Sequence, residues 1–139
     1  MKSFEIIDTT ADIGIRAFGA DLSEVFANAA LGMFSIITDT IKIEARLEKR
    51  ICVTAPDKEA LLVAWLNELL FLFETEKWLF NRFEITQLTG LKIKARCFGE
   101  KADRSRNELK REIKSATYHR LKVEKQPEGG YIGEVILDI

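Results

Sequence analysis

The stretch between Asp57 and Glu76 constrains the fold of this chain more than any other. Leu61, Leu62, Trp65, Leu66, Leu69, Leu70 and Phe73 recur at helical spacing, yet together they cover well over one helix face. A helix this apolar has to be buried on several sides, so it is the expected central core element. Pro56-Asp57 opens it, with Asp57 as N-cap and Lys58-Glu59 in the first turn. Asn67 and Glu68 interrupt the apolar run, which is too short and too polar to cross a bilayer. An earlier helix is predicted after Asp21-Leu22-Ser23-Glu24, an acidic variant of the capping box. Its apolar face holds Leu22, Val25, Phe26, Ala29, Ala30, Met33, Phe34 and Ile37.

Two helices of this kind need sheet to pack on, and alternating segments supply it. Residues 4–7 are short and β-prone, and Ile13, Ile15 and Ala17 alternate with Gly14, Arg16 and Phe18. Ile41, Ile43 and Ala45, then Ile51, Val53 and Ala55, read as two strands around residues 46–50. Phe83 and Ile85 suggest another. After a turn at Gly90, Leu91, Ile93, Ala95 and Cys97 alternate with Lys92, Lys94 and Arg96, giving a strand with a cationic outer face. Residues 99–111 are charged and lack periodicity, which reads as a mobile surface loop. Leu121 and Val123 lead through the turn Gln126-Pro127-Glu128-Gly129-Gly130 into a final strand over 131–139. The expected order is β-β-α-β-β-α followed by four strands. This is an α+β fold: two main helices packed on antiparallel β-sheet, in a two- to three-layer single domain spanning 1–139.

The formal net charge of −1 argues against a dedicated nucleic-acid binder, which usually carries a basic excess. Cys52 and Cys97 each sit in an alternating apolar run and read as buried, reduced thiols; no CxxC or Cys/His cluster suggests zinc. Acidic residues come too early for a signal peptide, so the cytoplasm is the expected compartment. No phosphate-binding loop, dinucleotide fingerprint or nucleophile elbow occurs.

What chemistry the residues offer is mostly anionic. Asp8 and Asp12 flank a turn between strands, and the last strand ends Asp138-Ile139, whose α-carboxylate adds another oxygen donor. If that strand pairs near the first two, these groups converge, and convergent carboxylates call for a hard cation: calcium, magnesium or manganese. Aspartates at turns also cap their own backbone, which is the plainer account. Glu112 and Lys114, two apart on an extended segment, share a face and make either a functional pair or an ordinary exposed ion pair. His119 is the only histidine. Arg104, Arg106, Lys110, Arg111 and Lys114 form a local basic cluster, diluted by Glu100, Asp103, Glu108 and Glu112. Trp78 and Phe80, near the end of the second helix, suit packing better than base stacking.

Five stretches in register resemble the archease family. They are Thr10-Ala11-Asp12-Ile13-Gly14-Ile15 with Ala17-Phe18-Gly19; Phe26-Ala27-Asn28-Ala29-Ala30; Leu61-Leu62 with the stretch from Trp65 to Glu76; Glu112-Ile113-Lys114 with Ala116-Thr117-Tyr118-His119; and Val135-Ile136-Leu137-Asp138-Ile139. The resemblance covers essentially the whole chain. It implies an accessory protein, not an enzyme, that promotes guanylylation and multiple turnover of the metal- and GTP-dependent RNA-splicing ligase. RNA contact would be indirect or weak. It further implies that Asp12, Asp138 and Ile139, the last through its carboxylate, hold a divalent metal (calcium, or magnesium or manganese in function). Glu112 and Lys114 match polar positions near that metal-binding tip. The family usually has histidine where Thr9 stands, and often where Asn107 stands, so histidine-dependent steps are not expected here. Two other readings compete: a chaperone or modulator of nucleic-acid enzymes without site chemistry, and a small metal-dependent hydrolase, for which no convincing nucleophile and base are present.

Overall fold

The Asp57 carboxylate accepts the Ala60 N–H at 2.7 Å and starts the second helix, α2 (Lys58–Glu76). The computed structural model describes residues 2–8 and 10–139. At the other end of α2, Lys77 adopts a left-handed conformation (φ 65°), and its N–H caps the Leu72 and Phe73 carbonyls. The first helix, α1 (Leu22–Ile37), begins as its sequence predicts. Asp21 accepts the Glu24 N–H at 2.9 Å, while Glu24 reaches back to the Ala20 N–H at 2.6 Å, one residue before the usual partner.

The strands are β1 (Phe4–Asp8), β2 (Ile13–Gly19), β3 (Leu47–Thr54), β4 (Trp78–Leu88), β5 (Lys92–Lys101), β6 (Ser115–Ala116), β7 (Lys122–Lys125) and β8 (Tyr131–Asp138). They form two antiparallel sheets. One has the order β1-β2-β8-β6, with β7 also paired to β8; the other has the order β3-β5-β4. The helices lie between them. α1 touches β1, β2 and β8 on one side and β4 on the other, and α2 touches β6 and β7 as well as β3, β4 and β5. The result is three layers, with the helices in the middle.

That placement explains the sequence pattern. Both helices meet sheet on two sides, so their apolar residues cannot be confined to one stripe. Leu61, Leu62, Trp65, Leu66 and Leu69 are all fully buried. Trp65 also ties the helices together, donating its indole N–H to the Phe26 carbonyl at 3.0 Å. Phe34, Phe80, Phe83 and Trp65 pack with ring centroids 5.8–6.3 Å apart, mostly edge to face.

Several expectations need correction. Residues 41–45 are not a strand, so one strand rather than two separates the helices. Asp39 caps a single 3₁₀ turn, Thr40–Lys42; Ile41 is 90 % exposed and only Ile43 is buried. The Asn81 amide donates to the Thr40 and Ile43 carbonyls at 3.0 and 2.9 Å, taking acceptors that a neighbouring strand would have used. Five strands, not four, follow α2, because the two-residue β6 is too short to leave a pattern.

Residues 99–111 are not a loose loop. Residues 99–101 belong to β5, and Glu100 is buried, accepting the Glu44 N–H at 2.6 Å and pairing with Arg106 at 3.1 Å. Asn107 is buried too: its side chain accepts the Asp103 N–H at 2.9 Å, and its own N–H donates to the Asp103 carbonyl. Bonds from Thr38 to the Glu108 carbonyl and from the Lys110 N–H to the Ile37 carbonyl fasten the segment to the end of α1. Its anchors are individual polar contacts, which have no period to read. Cys97 is buried as expected, but Cys52 is exposed, because it falls on the solvent side of β3.

Two outcomes follow for the folded protein. Gly99 stands opposite a bulge in β4, where an added Cβ would lie 1.8 Å from the Leu79 carbonyl oxygen, whereas at Gly90 nothing lies within 4 Å. Gly99→Ala is expected to lower unfolding free energy in urea by about 2–3 kcal/mol, and Gly90→Ala to change it by less than about 0.5 kcal/mol. Burial pushes the Cys97 thiol up to about 12. A thiol reagent at neutral pH is therefore expected to titrate Cys52 rapidly in native protein, and Cys97 only after denaturation.

Candidate functional site

The register of β2 against β8 decides what the end of the larger sheet contains. Ile13 pairs with Leu137 as the last rung of the ladder, so Asp12 precedes it on one strand and Asp138 follows it on the other. On one flank, Asp8 pairs with Ile13 and closes the β1–β2 hairpin at the same end. On the other, Ser115 of β6 pairs with Asp138, and the Lys114 N–H donates to the Asp138 carbonyl at 2.7 Å. Residues far apart in sequence therefore share one edge: Asp8, Asp12, Lys114, Asp138 and Ile139. The β1–β2 turn and the end of β8 therefore lie side by side, while the start of β1 lies at the far end of the sheet, where Phe4 pairs with Ala17.

Each side chain has a local reason for its position. Asp12 is half-buried and Asp138 exposed. Ile139 packs against the core, which holds the segment after β8 in place. Glu112 and Lys114 are both exposed, and Ile113 between them is 3 % exposed. That buried isoleucine fixes the segment and leaves its two polar neighbours in solvent. Arg111 pairs with Asp8 at 3.7 Å; both are well exposed, so the pair adds little stability.

Asn67 is the supporting residue that the sequence reading took only as a break in an apolar helix. Its carbonyl accepts the Ala116 N–H at 2.7 Å and its amide donates to the Ala116 carbonyl at 3.2 Å. One side chain of α2 thus hydrogen-bonds β6 in both directions, as a neighbouring strand would. The signal was visible in principle: an amide in the most buried helix of a chain needs partners.

Asp12 also lines a pocket of about 370 Å³ on the solvent face of this sheet, with Ile7, Arg16, His119, Arg120, Glu134 and Ile136. Arg16 is committed to Glu134 and Glu5, and chiefly the hydrogen bond it donates to the Glu134 carboxylate raises the guanidinium above its ordinary value. His119 and Tyr118 are exposed. The basic cluster of residues 104–114 is divided rather than concentrated: Arg106 faces Glu44 and Glu100, and Arg111 faces Asp8. Thr9 lies outside the described residues. Asn107 serves the tether at the end of α1.

Of the expected cation ligands, Asp12 and Asp138 lie at this end of the sheet, next to the last rung of the β2–β8 ladder. Among the described residues, no group of three or more His, Cys, Asp or Glu side chains is arranged to hold a metal. The side chains nearest this end are carboxylates, and no cysteine is among them.

Comparison with known proteins agrees with this architecture. The Archease protein family (MTH1598/TM1083) matches residues 4–139. A protein archease from Methanosarcina mazei is 41 % identical, with 99 % of this chain and 97 % of that protein covered. One from Pyrococcus abyssi is 38 % identical with both chains fully covered. The solution structure of Methanobacterium thermoautotrophicum protein 1598 superimposes with a TM-score of 0.86 at 41 % identity, over the full length of both chains. A crystal structure from Thermotoga maritima, described as an archease and possible chaperone, has a TM-score of 0.60 at 22 % identity and shares the fold; it covers all of this chain and 98 % of that one. Among the described residues, no helix is long and apolar enough to cross a membrane. With the family matched over nearly its whole length and the relatives aligned end to end, this chain belongs to the archease family.

Proposed function

We propose that this protein binds a divalent metal ion and activates an RNA-splicing ligase by promoting its guanylylation and multiple turnover, acting in the cytoplasm without catalysing a reaction of its own. The observation that supports the reading is the β2–β8 ladder, whose last rung, Ile13↔Leu137, is flanked by Asp12 on one strand and Asp138 on the other. Asp12, Asp138 and the Ile139 carboxylate would hold calcium, magnesium or manganese. Bound there, the ion would supply positive charge to the phosphate oxygens on which negative charge builds during nucleotidyl transfer.

The remaining roles belong to the chain's own side chains. Lys114, exposed and joined through its backbone N–H to the Asp138 carbonyl, would steady a phosphate or an acidic ligase surface. Glu112, exposed on the same segment, would orient Lys114 or join the ion's outer shell. The partner in this reading is the metal- and GTP-dependent ligase, and RNA contact at this end is indirect.

A second reading, a chaperone or modulator without site chemistry, has one feature in its favour. A groove of about 460 Å³ runs between Phe18 and Tyr131 at the opposite end of the same sheet, and its lining is mostly apolar. In that reading Asp12 is dispensable.

The two readings part in one experiment. Ligase guanylylation is measured with GTP and manganese or magnesium, with and without this protein, while calcium affinity is followed by calorimetry. Wild type is expected to stimulate. Asp12→Ala and Asp138→Ala should each weaken calcium binding at least tenfold and remove most of the stimulation. A wild-type protein that gives no stimulation rejects the activator function. Full stimulation by both variants rejects the metal site but leaves activation standing.

A further inference from the structure

The solvent face of the three-stranded sheet carries charge of one predominant sign. Along β3, β5 and β4, the outward positions form successive rungs: Glu48–Phe98–Arg82, Arg50–Arg96–Glu84, Cys52–Lys94 beside Thr86, and Thr54–Lys92. Arg50, Arg82, Lys92, Lys94 and Arg96 thus stand against only Glu48 and Glu84, an excess of three positive charges on a chain whose net charge is −1. The rest of the chain therefore has a net charge of −4, opposite in sign to this face.

The ion pairs on the face leave its cationic end open. Glu48 is bound by Arg96 at 2.8 Å and Arg50 at 3.0 Å, and Glu84 by Arg96 at 3.2 Å and Arg82 at 3.8 Å. Lys92 and Lys94 have no ion-pair partner among the described residues. With Arg96 they form a row down the middle strand at intervals of about 6.7 Å, two residues of strand. A groove of about 450 Å³ runs beside this row, lined by Arg50, Cys52, Thr86, Lys94 and Arg96.

We infer that this face docks the phosphate backbone of folded RNA, without reading its sequence. A protein interface has an apolar core, and none of the large exposed apolar residues, among those described, falls on the outward rungs of this sheet. A sheet that reads single-stranded RNA presents open aromatic rings for stacking. Here the one aromatic, Phe98, is only 7 % exposed and lies under the guanidinium groups of Arg82 at 3.9 Å and Arg96 at 5.2 Å. What remains is regularly spaced positive charge, the complement of a polyphosphate chain. The face belongs to the opposite outer layer from the sheet that carries Asp12 and Asp138, so an RNA held there would leave the candidate metal end free.

Fluorescence anisotropy with a labelled RNA hairpin, from 50 to 200 mM salt, tests the assignment independently of the ligase. Wild type is expected to bind weakly, with log K falling against log salt at a slope of about −3. Lys92→Glu with Lys94→Glu touches no ion pair described above. It should weaken binding at least tenfold and flatten the slope by about 2, with circular dichroism unchanged. A control with the same change of net charge, Lys110→Glu with Lys125→Glu, should bind nearly as wild type does. Three outcomes overturn the inference: no wild-type binding at 50 mM salt, equal losses in the two double variants, or equally tight binding of an acidic polypeptide such as polyglutamate. The last would identify the face as a protein-docking surface.

Discussion

The pairing of β2 with β8 is the contact on which the rest of this molecule depends. It joins the second strand to the last, from Ile13↔Leu137 to Gly19↔Tyr131. Without it, the β1–β2 hairpin would be separated from β8 and from β6 and β7, which pair with β8. The inward residues of the two strands, Ile13, Ile15, Ala17, Val135 and Leu137, form the apolar floor beneath α1 and are nearly fully buried. The same register places the two aspartates on either side of its last rung. Core stability and the geometry of the candidate site therefore come from one ladder, and a slip of one residue would turn the floor toward solvent and part the carboxylates together.

The helices are held by a different logic. Lying between two sheets, they must be apolar nearly all round, and the polar atoms they retain are spoken for. Trp65 satisfies a carbonyl of α1, and Asn67 satisfies both backbone groups of Ala116. The second of these reaches the site. β6 is only two residues long, with too few ladder bonds to hold itself against β8 alone. The amide of Asn67 supplies its second edge, and so positions the backbone that carries Lys114 beside Asp138.

How much of this could be read beforehand depended on whether a feature had a period. The helices and their aspartate caps repeat at 3.6 residues and were legible at nearly their observed bounds; of the long strands, β2 and β8 were legible, while β4, Trp78–Leu88, was read only at Phe83 and Ile85. That the last strand pairs near the first two was legible as a condition set by Asp12 and Asp138, and β8 does pair with β2. Aperiodic devices were not legible. The alternation of Ile41, Ile43 and Ala45 imitated a strand, although Asn81 had claimed the carbonyls that a strand partner needs. The charged run after Gly99 looked unstructured because its order comes from single buried contacts, above all Glu100 with the Glu44 N–H and Arg106. Cys52 was misplaced for a simpler reason: alternation marks two faces of a strand but does not say which one meets water.

The distance in sequence between β2 and β8 has a kinetic side. Their ladder closes a loop of more than a hundred residues, which costs chain entropy that no local contact offsets in advance. Helices and the β4–β5 hairpin have near neighbours and need not wait for it. Asp12 and Asp138 can come together only once that long-range closure has occurred. A chain in which this ladder is open has no such carboxylate pair to offer, whatever else in it has formed.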